Sequence, residues 1–306
     1  MLAVGMVACS QTDPAGGGGD GGDGGDGGGG DGGGSGTLAE IQESGTVTLG
    51  IAGERPYSYM EDGEPTGATI AIAEEIYGQL GIDDIETQVV AWDSLIPGLN
   101  AGRFDQISAG MSILPERCEQ AAFANPTIMY TTGLLVPEGN PMNLNDLQDV
   151  KESGAQLAVL TGAIEDTYAQ DMGIEDTLTL QNAEDGMDAV VSGRADVFAL
   201  TAISLNSMVE NSDQPVEATE PFIAIVNGKE QVGAGAAVFR QGDQDLLEAW
   251  NEELDKIVGS QEKYEEVLGE FGFGEPWRPP EDITTEQLCE GELPDAEQSE
   301  AVPDEG

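Results

Sequence analysis

Two successive series of alternating strand and helix patterns constrain this chain more than any other feature of its sequence. "VTLGIA" at 47–52 is a short apolar run that reads as a buried strand. "ATIAIAEEIYGQLGI" (68–82) carries apolar residues at helical spacing and stops at Gly81. "ETQVVAW" reads as a second strand, "DSLIPGLNAGRFD" as a short helix with Pro97 early and Gly102 late, and "QISAGM" as a third strand. "PERCEQAAF" then opens with proline in a helix first turn. Such β-α-β-α-β order predicts a parallel, doubly wound sheet.

Near "TTGLLVPEGNP" the series ends and a second begins. "QLAVL" is followed by "GAIEDTYAQDMG", "TLTL" by "AEDGMDAVVSGRAD", and "VFAL" by "TAISLNSMVE". "GAGAAVFR" (233–240) reads as a strand returning to the first series, before the amphipathic helix "DQDLLEAWNEELDKIVGS" and a last helix in "EKYEEVLGEFGF". The expectation is an α/β chain of two lobes, each with a mainly parallel sheet. The first lobe is discontinuous (37–134 and 235–289) and the second (135–234) is inserted into it. Two strands, at 131–136 and 233–238, would then serve as hinges. Ligands of open α/β sheets sit beyond the carboxyl ends of strands, so the loops there should face a cleft between the lobes.

Composition narrows the partners. The formal net charge is −49, there is no histidine, and only ten residues are basic. Leaving both tails aside, residues 36–280 hold 44 acids against all ten bases. Such a surface repels nucleic acid and anionic membranes. It serves solubility, and with only four lysines it also suits a high-salt milieu, where screening removes self-repulsion. Without histidine or a Ser/His/Asp or metal-ligand cluster, hydrolase and zinc chemistry find no support; no metal and no cofactor is expected.

Residues 1–9 read as the end of a signal peptide. Met6-Val7-Ala8-Cys9 resembles a lipobox, with acylation at Cys9, although no Lys or Arg precedes the apolar run. "GGGGDGGDGGDGGGGDGGGSG" makes 10–36 a hydrated, flexible tether, and 290–306 reads as an acidic disordered tail. An exported, lipid-anchored monomer on the outer face of the cell membrane follows. In that oxidising setting Cys118 and Cys289 can pair.

Arg117 follows "QISAGM" and a short loop, which puts it at a strand's carboxyl end. An arginine there can fork onto a carboxylate; the alternative is a surface salt bridge. The motifs "IPGLNAGRFD" (96–105), "AGMSILPERC" (109–118), "FANPT" (123–127) and "SGRADV" (192–197) resemble the solute-binding proteins of ABC importers in the polar amino acid family, over roughly 46–289. The resemblance implies a periplasmic-binding-protein fold of type II. Arg117, after Ser112-Ile113, would grip a ligand carboxylate, and Tyr57 in "GERPYSYM" would be an aromatic wall.

Departures from the family pattern bear on the ligand. The usual glycine, aromatic and acid signature stands here as Gly67-Ala68-Thr69-Ile70-Ala71. Ile164 occupies the place of a carboxylate-binding hydroxyl. Thr201 occupies that of the Asp that binds an α-ammonium. Glu54, Tyr57 and Trp92 at strand ends suit a delocalised cation, with Glu54 accepting from an amidinium. "GERPY", "AWDSLIPGLNAGRFD", "PERC" and "LTGAIE" resemble the ectoine/hydroxyectoine receptor subgroup, whose ligands join a ring amidinium to a carboxylate. That subgroup places a third aromatic two residues after the glycine of "AGM"; here Gly110 is followed by Ser112 at that place, an incomplete aromatic box. Thr161 and Gly162 read either as turn residues or as amide donors to the cleft.

The leading expectation is therefore a receptor that closes on ectoine or hydroxyectoine and delivers it to the transmembrane subunits of an ABC permease, without covalent chemistry. A receptor for a polar amino acid or betaine, and a periplasmic dehydratase-like enzyme on the same fold, are the alternatives.

Overall fold

The computed structural model describes residues 36–231 and 233–292. The lipobox Cys9, almost all of the tether and residues 293–306 of the tail lie outside them.

The first sheet has the order Asp84–Val89, Thr46–Ile51, Gln106–Ser112, Gly233–Phe239, Ala122–Phe123. Its first three strands are parallel and Gly233–Phe239 runs against them, also pairing with Ile128–Tyr130. The second sheet has the order Thr177–Leu180, Leu157–Leu160, Val197–Thr201, Thr132–Pro137, Val216–Ala218. Again three parallel strands lead and an antiparallel strand follows. This is the two-lobed type II fold of periplasmic binding proteins, with mixed sheets.

The chain leaves the first sheet at Thr131, between Ile128–Tyr130 and Thr132–Pro137. Residues 132–134, expected in the first lobe, pair instead in the second sheet, since Thr132 and Leu134 lie opposite Thr201 and Ala199. Burial that continues across the junction hid the change of sheet, because both strands are enclosed on both faces.

Helix Ala68–Gln79 packs on the first sheet, and Gln244–Val258 and Gln261–Leu268 pack against that helix and each other. Trp250 on the amphipathic helix is fully enclosed and lies 5.3 Å from the ring of Tyr77 and 5.7 Å from that of Phe239. In the second lobe Phe198 fills the space that Gly186 leaves open, where an added Cβ would meet its ring at 2.4 Å.

The segment "PERCEQAAF" forms one turn of helix only, Pro115–Cys118, before the short strand Ala122–Phe123. After Pro280 the chain forms a further helix, Thr285–Cys289, with a capping box between Thr284 and Gln287. Its Leu288 is buried in the first lobe's core, and Cys289 is bonded to Cys118.

Candidate functional site

Four strands end at one place. Thr46–Ile51 leads into the turn that bears Glu54 and Tyr57. Gln106–Ser112 contributes Gly110 and Ser112. Leu157–Leu160 leads to the helix start at Ile164, and Val197–Thr201 ends on Thr201. These residues line a narrow cavity together with Trp92, Tyr130, Glu165 and apolar neighbours.

The turn at Glu54 is closed by the Ser58 amide donating to the Glu54 carbonyl at 3.0 Å. Tyr57 within it is only 2% exposed and is backed by Phe273, with ring centroids 5.6 Å apart. Gly110 is needed beside that ring. Its φ of +60° is open to glycine at little cost, and a Cβ there would stand 2.5 Å from Tyr57 Cδ1.

A chain of hydroxyls crosses the cleft. Tyr57 donates to Thr201 Oγ1 at 3.2 Å, Thr201 donates to Ser204 Oγ at 3.1 Å, and Ser204 donates to Glu54 Oε1 at 2.6 Å. Two first-lobe residues are thereby joined through two second-lobe hydroxyls. Thr201 thus accepts a hydrogen bond from the first lobe.

Arg117 stands beside the cavity and not in its lining. Its guanidinium donates to the Ser112 carbonyl at 3.1 Å and to the Gly162 carbonyl at 2.9 Å, and lies 5.7 Å from the centre of the Trp92 ring. A guanidinium has five donors, so these two bonds leave others for a ligand. Burial lowers its pKa from the ordinary value.

The amides of Thr161 and Gly162 do not face a ligand. The Thr161 N–H donates to Leu180 and the Gly162 N–H to Asp166 Oδ2 at 3.0 Å. Asp166 sits in the first turn of the following helix, where a carboxylate can reach back to the loop amides. The Gly162 carbonyl faces the first lobe and accepts from both Arg117 and Trp92 Nε1.

Two contributors escaped the sequence reading. Glu165, next to Ile164 in the helix first turn, is 1% exposed, and its Oε1 has no hydrogen-bond partner. Burial pushes its pKa up to about 8, with the charge of Glu54 adding to the rise. Glu54 is raised to about 7 by burial, against the pull of the Ser204 bond. Tyr130 is the other. It comes from the strand before the first crossing, is 3% exposed, and its hydroxyl donates to the Ala234 carbonyl at 3.5 Å. It gives the cavity a third aromatic wall, from a strand other than the one that bears Ser112.

A family match follows the geometry. The sequence pattern of the bacterial extracellular solute-binding proteins, family 3, matches residues 47–270. The chain belongs to this family. It is 36% identical over 259 residues to a probable amino-acid ABC transporter periplasmic-binding protein, y4tE, of Sinorhizobium fredii (strain NBRC 101917 / NGR234), covering 83% of this chain and 86% of that one. Among solved structures it is similar to EhuB in complex with hydroxyectoine, with TM-score 0.73 and 30% identity over 83% of this chain and 97% of that one. It is also similar to the ancestral amino acid-binding protein AncCDT-1, described as a precursor of cyclohexadienyl dehydratase. That likeness has TM-score 0.66 and 25% identity, over 76% of this chain and 99% of that one. Members of family 3 are extracytoplasmic binding proteins. Among the described residues no helix is long and apolar enough to cross a membrane, and no group of side chains is arranged to hold a metal ion.

Proposed function

We propose that this family 3 protein is a receptor for ectoine or hydroxyectoine, which it captures by lobe closure and delivers to an ABC permease. The observation that carries the reading is the pair of buried carboxylates, Glu54 and Glu165, facing one cavity walled by Tyr57, Trp92 and Tyr130. An amidinium has two N–H donors and a flat, delocalised charge. Two carboxylates can take the donors, and aromatic faces can take the charge. Arg117 at the cavity edge takes the ligand carboxylate by exchanging its bond to Gly162. Thr201, in place of an acid, leaves a primary ammonium without its usual partner, which disfavours ordinary α-amino acids. The likeness to a structure holding hydroxyectoine points the same way.

In this reading Cys9 carries the lipid anchor and 10–36 is the tether, so the receptor works at the outer face of the membrane. Calorimetry with ectoine, hydroxyectoine, glycine betaine, arginine, glutamate and glutamine tests the ligand. Binding of the ectoines, and weak or no binding of the amino acids, is expected. Tight binding of an α-amino acid alone would overturn the assignment.

One observation favours a second reading. A carboxyl titrating near 8 holds a proton at neutral pH, as a general acid must, and a relative of this fold is a dehydratase precursor. The receptor reading requires that bound ligand be recovered chemically unchanged after prolonged incubation.

A further inference from the structure

We infer that the Cys118–Cys289 disulfide and the helix Thr285–Cys289 are positioning elements for Arg117. They hold in place the single turn that presents its guanidinium to the cleft. The inference depends on the role given to Arg117 above.

The helix Pro115–Cys118 is four residues long and has no side-chain cap at Leu114. One turn has no stability of its own, because nucleation costs more than its few hydrogen bonds return. Its position must therefore come from tertiary ties, and these are identifiable. Cys118 is bonded to Cys289 across 171 residues of sequence, with Cα atoms 5.7 Å apart. Gln241 Nε2 donates to the carbonyls of Cys118 and Glu119 at 3.4 and 3.0 Å. Gly291 stands against the ring of Pro115, where an added Cβ would be 3.4 Å from Cγ.

The far end of the tie is itself fixed. Leu288 is 2% exposed, Thr285 Oγ1 donates to the Ala124 carbonyl at 2.7 Å, and the capping box closes the helix start. The C-terminal segment is thus a strap laid over the turn, pinned to the first lobe at both ends. Cys118 directly follows Arg117, so any shift of the turn displaces the guanidinium from Ser112, Gly162 and Trp92. A ligand carboxylate then meets an arginine already in place, and the ordering cost is removed from binding.

The test uses the full chain with both Cys118→Ser and Cys289→Ser, which leaves no new unpaired thiol, alongside wild type reduced with a phosphine. The first readout needs no ligand. Amides of Arg117, Cys118 and Glu119 donate within this turn, and their hydrogen exchange should quicken by about 10-fold or more once the strap is untied. Unchanged exchange overturns the inference. The second readout is the Kd for hydroxyectoine, which should weaken about 10-fold without the disulfide, but less than about 2-fold when Arg117→Ala is already present. An equal loss in both backgrounds means the bond acts on the whole lobe and also overturns the inference. If Arg117→Ala alone leaves the Kd unchanged, or wild type ignores hydroxyectoine, the proposed function fails. The exchange readout then decides by itself whether the bond orders the turn. Should the double serine variant not fold, the reduced wild type supplies both measurements.

Discussion

The Arg117 guanidinium donates to the Gly162 carbonyl at 2.9 Å, across the cleft. The arginine assigned to the ligand thus also links one lobe to the other. Replacing it removes a buried cation from two carbonyls and from the ligand together. Arg117→Ala should weaken hydroxyectoine binding by on the order of 3 kcal/mol, since a carboxylate left in a closed cleft loses its counter-charge. Calorimetry on the variant, with circular dichroism to check folding, decides the point; a loss below about 0.5 kcal/mol would remove Arg117 from the site.

Glu165 sets stability against function. Its neutral isostere removes a carboxylate that burial disfavours, so Glu165→Gln should stabilise the ligand-free protein at pH 8 by on the order of 1–3 kcal/mol. The same change should weaken binding of a cationic ligand. Thermal melts with and without hydroxyectoine measure both effects, and a variant that binds as tightly as wild type would sink the role given to Glu165.

The two carboxylates also make stability depend on pH, with a definite sign. Both are raised in the folded state, from 4.5 to about 7 for Glu54 and to about 8 for Glu165. The folded protein therefore binds more protons than the unfolded chain above about pH 4.5. Their contribution is fully present below that value and is lost as pH rises through 7 and 8, at up to about 1.4 kcal/mol per pH unit for each proton. Ligand-free melting temperature should fall between pH 5 and 8, and Glu54→Gln plus Glu165→Gln should flatten the fall. A cationic ligand needs the ionised forms, so its Kd should tighten over the same interval. A Kd independent of pH between 6 and 8.5 would contradict this.

The acidity of the body predicts a response to salt. With 44 acids against ten bases between residues 36 and 280, self-repulsion opposes the compact state, and at about 1 M salt the Debye length falls to roughly 3 Å. Melting temperature should rise between dilute buffer and molar NaCl or KCl. A flat or falling curve would limit the acidity to a role in solubility.

Gly110 is predicted to be intolerant of a methyl group. Gly110→Ala places Cβ 2.5 Å from the buried Tyr57 ring at a φ of +60°, so the ring must move or the strand must bend. A loss of about 1–3 kcal/mol in stability is expected, together with weaker ligand binding because Tyr57 leaves its bond to Thr201. Denaturant unfolding and calorimetry on the variant check the two parts separately.

Hydrophobic period and turn residues made the two α/β series legible, because strand and helix burial write themselves into spacing along the chain. Strand ends could be found in the same way, and with them Glu54 and Trp92; the likeness to a receptor family pointed to Tyr57, Ser112, Ile164 and Thr201. All six line the cavity in the structure. The two lobes, with the second inserted into the first, were legible in the same series, because the strand at 233–240 returns to the first.

Contacts between distant segments were decided only in three dimensions. Tyr130 and Glu165 reach the cavity from opposite lobes, and nothing local distinguishes a buried tyrosine or one of 59 acids from its neighbours. The Thr161 and Gly162 amides were lost to the site because Leu180 and Asp166 claim them, which depends on how loop and helix fold back. The sequence by itself determined which strand ends could meet, through periodic burial. Tertiary structure decided which side chains meet there, because a hydrogen bond or a desolvated charge depends on distance in space and not on separation along the chain.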